Sequence, residues 1–451
     1  MRLLVIGGSD AGISAAIRAR EVNPSADITV LLADAFPNYS ICGLPFYLSG
    51  ETPNWQDLAH RKTFEGIEVL TEHTAISIDP RAKAVVAAVS AERKSFGYDR
   101  LIVATGARPI RPPVPGVDLA GVYQLHTMED TFRLERELAK GKSVVVVGVG
   151  YIGVEMADAL TRRGLSVTLL GRSATVLPTV DPALGSAIEA HLREHGVTVY
   201  AGVELRAIEP CETRLEVTGS GGVRARADLV LIAAGVESNT ELGAAAGITT
   251  GVKGAFRVNA RMETNLPDVY AAGDCVETWH RTLKRFTYLP LGTTAHKQGR
   301  VAGENAAGGA REFAGSLGTQ VVKVFDLAVA RTGLREVEAS RAGLNALTVE
   351  TTAPDHKAYY PNSWAIQMRV TAERSGGRLL GGQLLGHWQS EIAKRIDVFA
   401  TALFHDMNVD ELNDLDLSYT PPFGSPWDPA QAAAQAWMSA QRTEATRRSL
   451  R

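Results

Sequence analysis

Cys42 lies in "PNYSICGLPFYLSG" (Pro37 to Gly50), a short loop punctuated by glycine and proline. The position reads in two ways: a working thiol, or a small apolar residue filling a gap. As a thiolate it is a nucleophile toward a disulfide sulfur. The chain's other two cysteines are expected bystanders, Cys211 in a polar turn and Cys275 directly after Asp274. Three cysteines in 451 residues argue against a disulfide framework and for a reducing compartment.

The second chemistry-bearing pattern is a pair of glycine turns. In "RLLVIGGSDAGISAAIRARE" an apolar strand meets Gly7, and Gly12 opens an alanine-rich helix. Such a turn puts a helix N-terminus against a pyrophosphate. Ser9 replaces the usual middle glycine, and Asp34 is the nearest carboxylate for a ribose because Leu32 takes the expected acidic spot. In "KSVVVVGVGYIGVEMADALTRRGLSVTLLGRS" the glycines Gly148, Gly150 and Gly153 have the full spacing, and Ser166 to Leu170 reads as the next strand. That strand ends in Gly171, Arg172 and Ser173 rather than an acid. Arg172 can pair with a 2′-phosphate and Ser173 can hydrogen-bond to it, so NADPH is expected over NADH, with NADH still admitted. The alternative for Arg172 is an ordinary solvated charge.

Two further stretches follow apolar strands: "YDRLIVATGARP", with Thr105 and Gly106, and "TNLPDVYAAGDC", with Gly273 and Asp274. They resemble the second and third FAD motifs of the two-dinucleotide-domain flavoproteins, and "ADLVLIAAGVESN", with Gly235, resembles the strand closing the NAD(P) unit. The resemblance implies FAD as resident cofactor, with Asp274 on its ribityl chain and Ser40 in the same site. It also implies Tyr151 as a gate and Glu155 beside the nicotinamide, with Ile152 among the NAD(P)-binding residues.

The FAD motifs flank the NAD(P) unit, so the FAD domain is expected as 1–113 plus 252–316, with the NAD(P) domain, 114–251, inserted between. The expected fold is α/β, two Rossmann-like dinucleotide-binding domains followed by an α+β domain. From 317 to 451 alternating strands and a helix, "SEIAKRIDVFATALFHDM", resemble the dimerisation domain of the pyridine nucleotide–disulfide oxidoreductases, implying a homodimer. The basic tail with Arg447, Arg448 and Arg451 reads as a solvated end.

Many members of that superfamily carry a C-x-x-x-x-C dithiol. Here Pro37 stands five before Cys42, and the loop resembles the single-cysteine branch: coenzyme A disulfide reductases, NADH oxidases and NADH peroxidases. There the cysteine cycles among thiolate, sulfenic acid and mixed disulfide, its charge stabilised by the flavin and a helix N-terminus. The oxidases and peroxidases place a histidine in the first glycine turn; this chain has Asp10, which tilts the expectation toward disulfide chemistry. "HKAYYPNS" and "LSYTPPFGSPWDP" resemble the reductases' tyrosine stretches, implying that Tyr360 and Tyr419 reach the partner's reactive sulfur and protonate the departing thiolate. Arg18, Arg20, Arg61 and Lys62 are candidate cations for coenzyme A phosphates.

The expected activity is therefore NAD(P)H-dependent reduction of coenzyme A disulfide or a related small disulfide or persulfide. The alternatives are an NAD(P)H oxidase or sulfur/polysulfide reductase using the same thiol, and a flavin reductase serving a protein electron carrier. A net charge of −3 with 22% charged residues gives no reason for a nucleic-acid partner. No metal site is expected. No apolar run is long enough to span a bilayer, and the expected location is the cytoplasm.

Overall fold

Each of the two strand–glycine–helix runs seeds a parallel sheet in the computed structural model, which describes residues 1–449. In the first sheet the order is Val269–Ala271, Arg100–Val103, Arg2–Ile6, Asp27–Leu31, Glu68–Leu70. In the second it is Thr198–Ala201, Ser166–Gly171, Ser143–Val147, Leu229–Ile232, Val122–Gln124. Both orders reverse beside the strand that precedes the glycine turn, which opens a crevice at the strands' carboxyl ends. The near-continuous apolar strands suit burial on both faces: Val144 to Val147 are at most 5% exposed.

Helix α1 (Asp10–Val22) follows the first turn. The loop carrying Cys42 leads into α2 (Leu44–Ser49), and α3 (Tyr151–Arg162) follows the second turn. The last glycine of that turn is there for space: a Cβ on Gly153 would lie 1.7 Å from the Gly148 carbonyl oxygen. Further on come α4 (Pro182–Glu194) and α5 (Gly292–Ala306). Helix α5 lies almost backbone to backbone on α1, since Cβ atoms on Gly299 and Gly303 would come within 2.2 and 2.0 Å of the Ala11 and Ala15 carbonyl oxygens.

The C-terminal unit is a five-stranded antiparallel sheet, Gln320–Val324, Leu327–Gly333, Leu379–His387, Ala365–Glu373, Ala346–Pro354. It is covered by α6 (Ile392–Phe404) and α7 (Pro429–Ser449). The fully buried Trp437 of α7 donates its indole N–H to the Leu347 carbonyl at 2.9 Å. The basic tail falls at the limit of the structure: Arg451 and the side chains of Arg447 and Arg448 lie outside the described residues. Two antiparallel appendages, within 74–97 and 205–227, complete the chain. One apolar core runs through Leu44, Leu48 and Leu58, then Val154, Met156 and Leu160, then Val322, Val324 and Val329, so it belongs to all three units. Among the described residues no helix is long and apolar enough to cross a membrane.

Candidate active site

Cys42 sits at the centre of a one-turn 3-10 helix, Ile41–Gly43, that runs into α2. Asn38, buried and in the left-handed region at φ 55°, ties this loop down. Its N–H donates to the Gly8 carbonyl at 2.9 Å, and its carbonyl accepts from His60 N–H at 3.0 Å. Ser40 adds a backbone bond from its N–H to the Leu58 carbonyl at 2.8 Å. Phe36, Tyr39, Trp55 and Phe132 lock the outside by edge-on ring contacts of 5.3–5.9 Å. At the far end Arg163 of the second nucleotide unit donates to the Leu48 carbonyl at 3.0 Å.

The residue presents surface to solvent, yet its sulfur is crowded by protein, and the thiol is pushed up. Loss of solvent is the largest cause, and the carboxylates of Glu155, Asp10 and Asp274 add to it. Burial first, and the carboxylate field second, therefore oppose the thiolate in the chain taken alone. Cys275 is fully buried, its S–H directed at the Ala272 and Val103 carbonyls, and burial raises it to about 11. It is a core residue.

The residues expected around FAD converge at the carboxyl end of the first sheet. Gly7 (φ 111°) and Gly12 shape the turn, and Asp34 follows the strand Asp27–Leu31, one carboxylate oxygen accepting from Phe36 N–H at 2.8 Å. Thr105 and Gly106 are pinned to Asn239, whose carbonyl accepts from Thr105 Oγ1 at 2.6 Å and whose N–H donates to the Gly106 carbonyl at 2.9 Å. Gly273 N–H donates to buried Gln298 Oε1 at 3.0 Å. The carboxylate of Asp274 has no hydrogen-bond partner among the described residues. Burial first and Asp10 second raise its pKa to about 6. A shielded carboxylate without a donor fits a ligand bearing hydroxyl groups, so the residues present fit a flavin dinucleotide.

The second crevice is built alike. Gly148 and Gly150 lead into α3, Gly150 as its N-cap, and a Cβ on Gly150 would meet open space, leaving room for a diphosphate. Tyr151 and Ile152 stand half-buried at the start of α3 against the shared core, and Tyr151 accepts a hydrogen bond from Thr179 Oγ1 at 3.0 Å. Gly235 takes φ 102° at the neighbouring strand's end. Arg172 is exposed and forms no ion pair among the described residues, with the half-buried Ser173 next to it.

Burial, with Asp158 adding to it, raises Glu155 to about 7 from 4.5. A raised carboxyl favours the protonated folded state, so this contribution to stability is complete below about 4.5 and is lost as pH rises through about 7. Unfolding in denaturant across that window should show Glu155→Gln gaining on the wild type with rising pH, by on the order of 2 kcal/mol at the upper end. Parallel curves for the two proteins would refute the assignment.

One constellation escaped the sequence reading. His296, on α5, places Nε2 3.4 Å from Asp10 Oδ1 and Nδ1 2.8 Å from Ser14 Oγ, with the His60 ring 6.1 Å from its own. Two histidines from elsewhere in the chain thus gather at Asp10 in the first glycine turn.

The expected phosphate-binding cations divide. Arg18 is paired with Glu304 at 2.7 Å and Glu21 at 2.8 Å. Arg20 donates to the Pro24 and Gly66 carbonyls. Arg61 and Lys62 are exposed, beside His60, and form no ion pair among the described residues. Tyr360 and Tyr419 are exposed on the C-terminal unit with Tyr359, Phe423 and Trp427. Their loops share an anchor missed in the sequence: the buried Arg395 of α6 donates to the Asp355 carbonyl at 2.6 Å and the Phe423 carbonyl at 3.3 Å.

Comparison with known proteins matches this geometry. The profile described as pyridine nucleotide-disulphide oxidoreductase covers residues 1–299, and that family's dimerisation domain covers 319–430. A Pyrococcus furiosus protein named NAD(P)H sulfur oxidoreductase (CoA-dependent) is 35% identical over 438 residues, spanning 95% of this chain and 97% of its own. A solved NAD-dependent persulfide reductase from A. fulgidus superposes with a TM-score of 0.95 at 35% identity, covering 98% of this chain and 84% of that one. The water-forming NADH oxidase from Lactobacillus brevis, bound to NADH, gives 0.94 at 26% identity, covering 99% of this chain and 100% of its own. Its engineered derivative, an NADPH oxidase bound to NADPH, gives the same values. Three of that derivative's five substitutions are consecutive and replace Asp-Ala-Met by Ala-Arg-Ser.

Proposed function

Because the chain belongs to the pyridine nucleotide–disulphide oxidoreductases, we propose that it uses NADPH to reduce a low-molecular-weight disulfide or persulfide, coenzyme A-linked sulfur first, through Cys42 alone. The observation that carries this reading is an exposed thiol, Cys42, whose loop is fastened to the first glycine turn through Asn38. The Pyrococcus relative's name, which includes coenzyme A dependence, supports the carrier.

The Cys42 thiolate attacks one sulfur of R–S–S–R, forming Cys42–S–S–R and expelling R–S⁻, which takes up a proton. When bound, FAD supplies the two-electron relay between NADPH and that mixed disulfide. Reduction returns the Cys42 thiolate and releases the second R–S⁻. Tyr360 and Tyr419, presented by the partner of a homodimer, protonate the leaving sulfur. Arg61 and Lys62 hold the carrier's phosphates, and Arg18 and Arg20, already engaged within the chain, come second. The flavin domain comprises 1–113 and 252–316, the NADPH domain 114–251 and the dimerisation domain 317–451.

The preference for NADPH rests on Arg172 and Ser173. In the engineered L. brevis enzyme the intervals from the substituted glycine to the Ala-Arg-Ser triplet, and on to a substituted proline, are those from Gly153 to Gly171-Arg172-Ser173 and on to Pro178 here. Arg-Ser in this chain supports the same cofactor.

A second reading, NAD(P)H oxidase, is favoured by one observation, the imidazole of His296 against Asp10. The deciding experiment compares NADPH consumption with coenzyme A disulfide, coenzyme A persulfide and oxygen, alongside the intact mass of the purified protein. A coenzyme A-linked substrate should outrun oxygen by at least about 10-fold, with a thiol adduct on Cys42. Faster oxygen uptake, with sulfenic acid on Cys42, would transfer the assignment to the oxidase.

A further inference from the structure

His191 and His195 are one helical turn apart at the C-terminal end of α4, His195 being its C-cap. Residues four apart share a helix face, and these two rings lie 4.4 Å apart. The turn between strands Gln320–Val324 and Leu327–Gly333 brings Asp326 to them, Oδ1 2.6 Å from His191 Nε2. One donor atom from each of the three side chains lies within 4.8 Å of the other two. Neither thiol exchange nor hydride transfer uses this group. A second such group, Asp10, His60 and His296, belongs to the cleft already described.

Each donor is oriented from behind. His195 Nδ1 is 2.9 Å from the His191 carbonyl; an acceptor there keeps the proton on Nδ1 and leaves Nε2 its lone pair. The His195 ring lies flat on Phe325, centroids 3.9 Å apart and planes 8° from parallel. His191 Nδ1 lies 3.4 Å from Glu194 Oε2, so a carboxylate backs this imidazole while Nε2 faces Asp326. The turn itself is fixed: Phe325 N–H donates to buried Asp158 Oδ2 of α3 at 2.8 Å, and the Asp326 carbonyl accepts from Trp388 N–H at 2.9 Å.

We propose that His191, His195 and Asp326 bind a divalent transition-metal ion, zinc by donor set, that clamps the C-terminal sheet's first hairpin to α4. Two imidazoles and one carboxylate suit zinc and its first-row neighbours and disfavour calcium and magnesium, which take oxygen ligands. Bond lengths of about 2.0–2.1 Å at tetrahedral angles require donors roughly 3.3 Å apart. The present separations, 2.6 Å for one pair and within 4.8 Å for all, bracket that value. His195 and Asp326 are solvent-exposed, which gives the ion an entry path and leaves a fourth position for water.

The test is a Co²⁺ titration of the flavin-loaded dimer in a Cys42→Ser background, which removes the active-site thiol as a competing ligand. One Co²⁺ per protomer is expected, with the strong visible absorption of a tetrahedral site, displaced by Zn²⁺. Zn²⁺ should also raise the melting temperature, since it binds the folded state. His195→Gln and Asp326→Asn should each weaken uptake by at least about 10-fold, and His195→Gln should leave the rate of flavin reduction by NADPH unchanged. If His191→Ala does not fold, the exposed His195 and Asp326 variants carry the test. Unchanged Co²⁺ uptake in those variants, or none in the parent at millimolar cobalt, overturns the proposal and leaves the three residues an ion pair beside a stacked ring.

Discussion

Cys42→Ser abolishes turnover of a disulfide substrate, by at least about 10⁴-fold, while the protein still binds FAD and still passes hydride from NADPH to it. The separation follows from the geometry. Cys42 reaches the cleft from a one-turn helix whose position depends on Asn38, Ser40 and an aromatic girdle rather than on the sulfur. Removing the sulfur leaves both glycine turns, Asp274 and Glu155 in place. Stopped-flow reduction of the flavin by NADPH should be near the wild-type rate, and the oxidative half-reaction with disulfide should disappear. Retained disulfide turnover would remove Cys42 from the mechanism. Retained electron transfer to a carrier protein such as a ferredoxin would replace the proposal with a reductase of that carrier.

The second large effect is at Arg172. Hydrogen bonds to a charged group are worth about 1.5–3 kcal/mol, so Arg172→Ala should lower kcat/KM for NADPH by roughly 10- to 100-fold and leave that for NADH within about a factor of three. Arg172→Asp should go further and invert the preference, since a carboxylate there repels a 2′-phosphate and accepts from a ribose hydroxyl. The side chain is exposed and unpaired among the described residues, so neither change disturbs packing. A NADPH-to-NADH ratio that stays the same in both variants would make Arg172 a bystander.

The sequence announces what depends on local spacing. Gly148, Gly150 and Gly153 can be read without a structure because the turn, the helix start and the close strand contact all lie within six residues. The same holds for Cys42 and for strand endings such as Gly273-Asp274. What the sequence conceals depends on pairs far apart in the chain. Asn38 joins the first glycine turn to His60, and Arg395 joins two loops that begin on either side of α6. His296 meets Asp10 from 286 residues away. Asp10 can be read locally in the first glycine turn, but the imidazole that packs against it cannot. Gly299 and Gly303 carry a local signal, small residues one turn apart, but nothing in it says which helix they admit. The rise in the Cys42 pKa is equally non-local, since the burial that chiefly causes it and the three carboxylates that add to it come from separate segments.

The core shared by Leu44, Val154 and Val324 bears on how this protein breathes. A molecule whose units meet only across a wet, polar seam can open there as a hinge; here each unit has apolar clusters of its own, and one further cluster joins all three, which opposes their parting. Calorimetry should accordingly give one cooperative transition rather than three. If Tyr151 gates the nicotinamide as proposed, its ring leaving Thr179 is a local movement that does not require the units to part.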